Sequence, residues 1–393
     1  MLDGNEAVAF ALRLARVRVI ATYPITPQSP IAEKLADYVA DGSLPARYIR
    51  VESEHSALAA AIGAQLTGVR AATATSSVGL ALMHEVLGVA SGCRIPLVMP
   101  VVNRSLVSPW SLWCDHQDAM SVRDAGWLQF YAGDNQEVLD WSLMAYRVAE
   151  DPRVWLPAMV CLDGFFLSHA GAVVLVPDPE EVDAFLPPYR SRNLRLDPAD
   201  PMFVNDLTPP AEFTEMRYQQ QLAMENAPAV LDEAAGEFAR LFGRRCHAVE
   251  GYALEDAEAV VVTMGSMSGT ARYVVDEMRA GGRRVGAVQV RVFRPFPGAA
   301  LRRLLAGRPA VGVVDRSAGM GAEGGPLWTE VRCALAGVPD APVPAGFVAG
   351  LGGRDIPPAT LEKVFDRLLA GEPANNVWID VGENPLGLRE VTL

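Results

Sequence analysis

The chain has 393 residues, half of them hydrophobic and 21% charged, the profile of a globular protein of about two to three domains with a large core. Its formal net charge is −13 and no Lys/Arg-rich run occurs, so nucleic acid and anionic membrane are poor partners. Gly4 to Arg16 carries apolar residues at helical spacing, with Asn5 and Glu6 in the first turn. Val17 to Tyr23 reads as a buried strand ending in YPITPQSP, a proline-stiffened loop before a helix from Ile31 to Ala40. A short strand from Tyr48 to Val51 runs into Glu52 and Glu54, and an alanine-rich helix follows. The next strand, Val69 to Thr75, ends in the turn Ser76-Ser77-Val78-Gly79 before a helix from Leu80 to Ala90. Ile95 to Val102 is an all-apolar strand ending at Asn103-Arg104. After an irregular polar and aromatic stretch, SLVSPWSLWCDHQDAMSVRD, come a strand (Trp127 to Ala132), a helix (Asn135 to Glu150) and a last strand (Trp155 to Leu162). Continuous apolar strands separated by amphipathic helices predict an α/β domain whose parallel sheet is covered on both faces.

Residues 166–255 break this rhythm with PDPEEVDAFLPPY, DPADP and LTPP. The pattern predicts a long connection wrapped over a surface or a subunit neighbour, with one helix from Pro210 that Pro228 is expected to interrupt. A disordered linker is the alternative, opposed by Phe165, Phe166, Phe185, Tyr189 and Phe203, aromatic groups that favour burial. Alternation resumes from Ala257. It predicts strands at Ala259 to Gly265, Val285 to Val292, Ala310 to Asp315 and Gly346 to Gly350, and helices at Ser268 to Ala280, Pro297 to Ala306, Leu327 to Ala336 and Pro358 to Ala370. The expected division is therefore 1–165, 166–255 and 256–393. GSMSG and GMGAEGG lack the spacing of a dinucleotide or P-loop fingerprint, and tight turns explain their glycines. The cysteines at 93, 114, 161, 246 and 333 are scattered, with no C-x-x-C pair, which speaks against an iron–sulfur or structural zinc site in this chain. That usage fits a reducing compartment, and the start MLDGNEAVAF shows no secretory pattern, so a cytoplasmic location is expected.

Ligand sites in parallel α/β sheets lie at the carboxyl ends of the strands. Four strand ends here present Thr26, Glu54, the Thr75-Ser76-Ser77 turn and Arg104. One carboxylate, one guanidinium and several hydroxyls suit proton transfer beside a bound carboxylate. Glu54 has a plain alternative as a helix cap, and Arg104 as a structural ion pair with Asp115 or Asp118. No Ser-His-Asp pattern, H-x-x-H, kinase-like set or GDG metal-diphosphate motif accompanies them. The domain thus carries half a site.

The segments YPITPQSPIAE, ESEHSALAAAIGA, TATSSVGLALMHE and PWSLWCDHQDAMSVRDAGW resemble the α subunit of pyruvate:ferredoxin oxidoreductase and its 2-oxoacid relatives. So do LDGFFLSH, DPEEVDAFLPPY, VFRPFP, VVDRSAGMGAEGGPLWTEV and VAGLGGRDI, which carry the similarity over nearly the whole chain. The resemblance implies a pyrimidine-binding domain for thiamine diphosphate, then a transketolase C-terminal-like domain. It further implies a β subunit that holds the diphosphate and Mg2+, γ and ferredoxin-like δ subunits, [4Fe-4S] clusters on partner subunits, coenzyme A as co-substrate, ferredoxin as acceptor, and a dimer of heteromers. By the same resemblance Glu54 would hydrogen-bond N1′ of the aminopyrimidine. Ser76 and Ser77 would line the cofactor, and Thr26 and Arg104 would meet the 2-oxoacid. Relatives commonly carry Gln at the position of Val78, so a polar contact near the ring is expected to be missing. Thr26 favours a neutral 2-oxoacid tail such as that of pyruvate. A carboligase without iron–sulfur chemistry and a non-catalytic scaffold subunit are the alternatives. Glu52 is expected to support its loop, His116 to hold its loop by hydrogen bonds, and Cys114 to be a half-buried spectator.

Overall fold

The first sheet is built from strands β1 (Val19–Thr22), β2 (Arg47–Arg50), β3 (Ala71–Ala72), β4 (Val98–Asn103), β5 (Leu128–Tyr131) and β6 (Ala158–Asp163). A computed structural model of the chain describes residues 1–191, 194–372 and 375–382, so the last stretch of the expected second domain, 383–393, lies outside the described residues. The spatial order is β2-β1-β3-β4-β6-β5, all parallel. Every residue of β4, β5 and β6 is buried, as expected for strands covered by helices on both faces. Adjacent parallel strands bring the ends of β2, β1, β3 and β4 to one edge, and the four predicted strand tips therefore share it.

The predicted Val69 to Thr75 strand is shorter than expected. Its ladder to β4 holds at Ala72↔Val98 and again at Thr75↔Val101. Between them the register calls for an N–H from Pro100, which has none, so Thr73 and Ala74 fall out of regular pairing. The predicted helix beyond this strand begins earlier, at Ser77, and divides at Met83 into Ser77–Leu82 and His84–Gly92.

The second sheet contains β7 (Val249–Tyr252), β8 (Ala259–Met264), β9 (Val285–Val290), β11 (Ala310–Asp315), β12 (Ala345–Val348) and β13 (Val377–Trp378). Its order is β13-β12-β11-β8-β9-β7, parallel except for β7. The predicted strand from Val285 to Val292 proves to serve both sheets. Arg291 interrupts it, and β10 (Val292–Arg294) crosses over to pair antiparallel with β5. The buried Arg291 guanidinium holds the crossing, donating to Glu137 of the first unit at 2.7 Å and to Glu250 on β7 at 2.6 Å. One apolar cluster runs across the junction, from Met99, Tyr131 and Met159 to Val260, Val288 and Phe293.

The proline-rich connection is mostly ordered packing. A helix spans Pro210–Phe242 without a break, against the interruption expected at Pro228. An interior proline costs about 3 kcal/mol. Burial of Val230, Leu231 and Phe238 on one face contributes about 1.5–3 kcal/mol each, which outweighs it. Phe185 is fully enclosed and packs edge-on against Phe238. Phe203 departs from the expectation for the aromatics, being 88% exposed.

Candidate active site

Glu54 is the first residue of the helix Glu54–Leu66, and the cap is supplied by another residue: Ser53 Oγ accepts the Ser56 amide at 3.2 Å. Glu52 accepts the Ser56 hydroxyl at 2.8 Å and supports the loop as expected. Capping therefore does not account for Glu54. Its side chain is buried, yet no hydrogen bond or ion pair reaches its carboxylate among the described residues. It lies against Gly79, where a Cβ would sit 2.8 Å from both Glu54 Cγ and Oε1 and 2.6 Å from Thr75 Oγ1. Only a glycine leaves room for the carboxylate there.

The turn after β3 continues the site. Thr75 Oγ1 and Ser76 Oγ are enclosed and have no partner among the described residues. Such groups cost free energy unless something satisfies them, so they point to a polar ligand. Ser77 is different. Its hydroxyl donates to Ser105 O at 2.5 Å and its amide to Asp118 at 2.9 Å, which leaves its side chain committed to the protein. Val78 is 38% exposed beside this turn.

Arg104 and Thr26 come together through the main chain. Arg104 Nη1 donates to Thr26 O at 2.9 Å and Nε to Ser111 O at 3.2 Å, while the Thr26 side chain is exposed at the site's rim. The alternative, an ion pair of the Arg104 guanidinium with Asp115 or Asp118, is not formed. Asp118 takes the Arg104 amide at 3.0 Å, and Asp115 takes Ser105 Oγ at 2.7 Å. Burial lowers the Arg104 pKa, with Asp118 partly opposing it. The guanidinium is therefore buried with no carboxylate partner among the described residues, and its forked donors have the geometry to pair with one.

The loop bearing Trp110, Trp113 and Cys114 is braced by the second sheet. Gly352 donates its amide to Asp115 at 3.0 Å, Gly353 to Cys114 O at 2.7 Å, and His116 to Arg316 O at 2.9 Å. Cys114 is fully enclosed rather than half-buried, and burial drives its thiol well up, so it remains a spectator. His116 holds the loop as expected, through a 2.7 Å contact with Asp163. Asp163 also accepts Arg316 Nη1 at 2.8 Å and the Ser266 hydroxyl at 2.5 Å. Burial works against this carboxylate, but His116 and Arg316 outweigh it and hold its pKa well below the ordinary aspartate range. Sequence reading missed Asp163 and Arg316, whose partners lie far away in the chain, and offered Asp118 only as an ion-pair alternative for Arg104.

The Gly-rich loop 319–325 cradles no phosphate. Asp315 accepts the amides of Leu327 and Trp328 at 2.9 Å each and so occupies the start of the helix Pro326–Leu335. A Cβ at Gly325 would lie 2.2 Å from the Asp315 carboxyl carbon. The glycines serve this close approach.

Comparison with known proteins supplies the family. Residues 11–236 match the family described as pyruvate flavodoxin/ferredoxin oxidoreductase, thiamine-diphosphate-binding, and residues 257–361 match pyruvate:ferredoxin oxidoreductase core domain II. The chain belongs to the pyruvate:ferredoxin oxidoreductase family. Among relatives, it is 47% identical over 384 residues to the pyruvate synthase subunit PorA of Methanothermobacter thermautotrophicus, covering 98% of each chain. It is 46% identical over 356 residues to the ketoisovalerate oxidoreductase subunit VorA of Pyrococcus horikoshii, covering 90% of each. In fold it resembles a 2-oxoglutarate:ferredoxin oxidoreductase from Magnetococcus marinus, with a TM-score of 0.69 at 20% identity over 93% of this chain and 65% of that one. A split-gene transketolase shares the fold at a TM-score of 0.51 and 15% identity, over 90% of this chain and 91% of that one. Membership of the pyruvate:ferredoxin oxidoreductase family makes the chain a subunit of an oxidoreductase acting on 2-oxoacids. No helix among the described residues is long and apolar enough to cross a membrane.

Proposed function

We propose that the chain is the α subunit of a pyruvate:ferredoxin oxidoreductase and contributes the pyrimidine side of a thiamine diphosphate site completed by a β subunit. The observation that carries this is the unpartnered Glu54 carboxylate beside Gly79, facing the same sheet edge as a guanidinium that no carboxylate neutralises. Enclosed hydroxyls at Thr75 and Ser76 without partners fit a ring bearing hydrogen-bonding nitrogens. When bound, thiamine diphosphate supplies the nucleophilic carbon and the electron sink that 2-oxoacid decarboxylation needs.

Glu54 holds and moves the proton at the far ring nitrogen of the aminopyrimidine, and Ser76 and Ser77 form the turn against which the ring rests. Arg104 binds the substrate carboxylate, and Thr26 lines the rim where the short acyl tail lies. The exposed Trp110 and Trp113 stand on the loop at this rim, 75% and 56% accessible in the single chain. Water exclusion there falls to the neighbouring subunit. In the overall reaction a 2-oxoacid and coenzyme A give acyl-CoA and carbon dioxide, and two electrons pass to two ferredoxins. The Mg2+ belongs with the diphosphate on the β subunit, and the [4Fe-4S] clusters with partner subunits. A cytoplasmic complex, a dimer of heteromers, completes the reading.

Pyruvate, 2-oxoisovalerate and 2-oxoglutarate supplied to the co-purified complex with coenzyme A and ferredoxin test the assignment. Ferredoxin reduction should be fastest with pyruvate. Equal or faster reduction with 2-oxoisovalerate contradicts the substrate assignment, and no coenzyme A-dependent reduction with any of the three contradicts the reaction.

A further inference from the structure

Asp118 has no assigned part in the proposed reaction, yet both halves of the site hang from it. The residue is completely enclosed. One carboxylate oxygen accepts the Ser77 amide at 2.9 Å and the Arg104 amide at 3.0 Å. The other accepts the Asn103 side-chain amide and the Ala119 amide, both at 2.8 Å. Ser77 and Arg104 follow different strands, β3 and β4, and flank the space beside Glu54. Ser77 also has φ of +49°, in the left-handed region that a serine adopts only with outside support.

We propose that Asp118 is a positioning residue for the 2-oxoacid reaction, fixing the turn beside Glu54 and the backbone that carries Arg104 in one mutual register. The proposal rests on the reading of Glu54 and Arg104 given above. A single oxygen shared by two amides makes any movement of the carboxylate move both strand ends together. Four N–H donors converge on it, so the acceptor must be a full carboxylate. An amide in its place has one acceptor oxygen and turns its own donors toward two of the four. Burial pushes the Asp118 pKa up to about 6, and the four hydrogen bonds work against that rise. Asp118 touches neither substrate nor cofactor, because the turn and the strand end lie between.

The test is a double-mutant cycle in the assembled complex, read as kcat and KM for pyruvate at saturating thiamine diphosphate. Asp118→Asn should lower kcat/KM by about 10–100-fold, the size expected when reacting groups shift by about 1 Å. In an Arg104→Ala background the same substitution should cost several-fold less, because one of the two groups it holds in register has gone. Asn103→Ala removes a donor from behind the carboxylate and should reproduce the pattern at a smaller size, which keeps the test available if Asp118→Asn fails to assemble. Equal fold losses with and without Arg104 would overturn the positioning role while leaving the functional reading intact. An Arg104→Ala enzyme with an unchanged KM for pyruvate would refute the substrate reading, and the positioning role with it.

Discussion

At the carboxyl edge of the first sheet, the Glu54 carboxylate and the hydroxyls of Thr75 and Ser76 have no partner among the described residues, and the Arg104 guanidinium meets only main-chain oxygens there. At the corresponding edge of the second sheet, the equivalent positions are taken. Asp315 at the end of β11 binds two helix amides, Arg316 binds Asp163, and Ser266 after β8 binds the same carboxylate. Both sheets follow the same parallel design, and the difference lies in what their loops do with polar groups. One edge leaves most of them without partners among the described residues. The other uses them to seat one unit on the other and to brace the loop beside Arg104. Architecture alone therefore does not locate the site.

The sharpest way to break the contrast is to disturb the occupied edge. Asp163→Asn leaves Arg316 enclosed without its counter-charge, and loss of one member of a buried pair costs about 3–5 kcal/mol. Thermal melting of the complex should show it as a large drop. The Asp163 pKa is depressed in the folded chain, so its contribution is complete above the ordinary value of 3.8 and fades as pH falls through the folded-state pKa. The gap between wild type and variant should hold from about pH 5 to about pH 8 and narrow below about pH 4. A gap that widened in acid would contradict the network.

Arg104→Ala should act in the opposite manner, sparing the fold and harming the reaction. A charge-assisted hydrogen bond is worth about 1.5–3 kcal/mol, or roughly 10–150-fold in kcat/KM for pyruvate. Melting should move little, because no carboxylate is stranded by the change. Glu52→Ala is the smallest case. That exposed carboxylate holds only the Ser56 hydroxyl, and steady-state activity should stay within about twofold of wild type.

Much of the open edge was readable from residues close together in sequence. Apolar strands end in Glu54, Thr75-Ser76-Ser77 and Arg104, and parallel pairing delivers those ends to one side. The occupied edge was not readable, because its bonds join Asp163 to Arg316 and Gln117 to Ser317, segments about as far apart as the chain allows a local pattern to say nothing about. The crossing of β10 escaped for a related reason: Val285 to Val292 is uniformly apolar apart from Gln289 and Arg291, and nothing local marks where one sheet gives way to the other. Pro228 misled in the other direction, since a local helix breaker yields to the burial of Val230, Leu231 and Phe238. Ser77 looked like a ligand contact by type and place, but its left-handed backbone turns the hydroxyl onto Ser105 O.

The central claim is that the Glu54 carboxylate handles a proton for the bound cofactor. Single-turnover decarboxylation of pyruvate by the assembled complex measures this step, with wild type and Glu54→Gln compared at equal thiamine diphosphate occupancy. The account predicts a rate loss of about 10²–10⁴-fold for the variant, with assembly unchanged. A variant that turns over at the wild-type rate would contradict it.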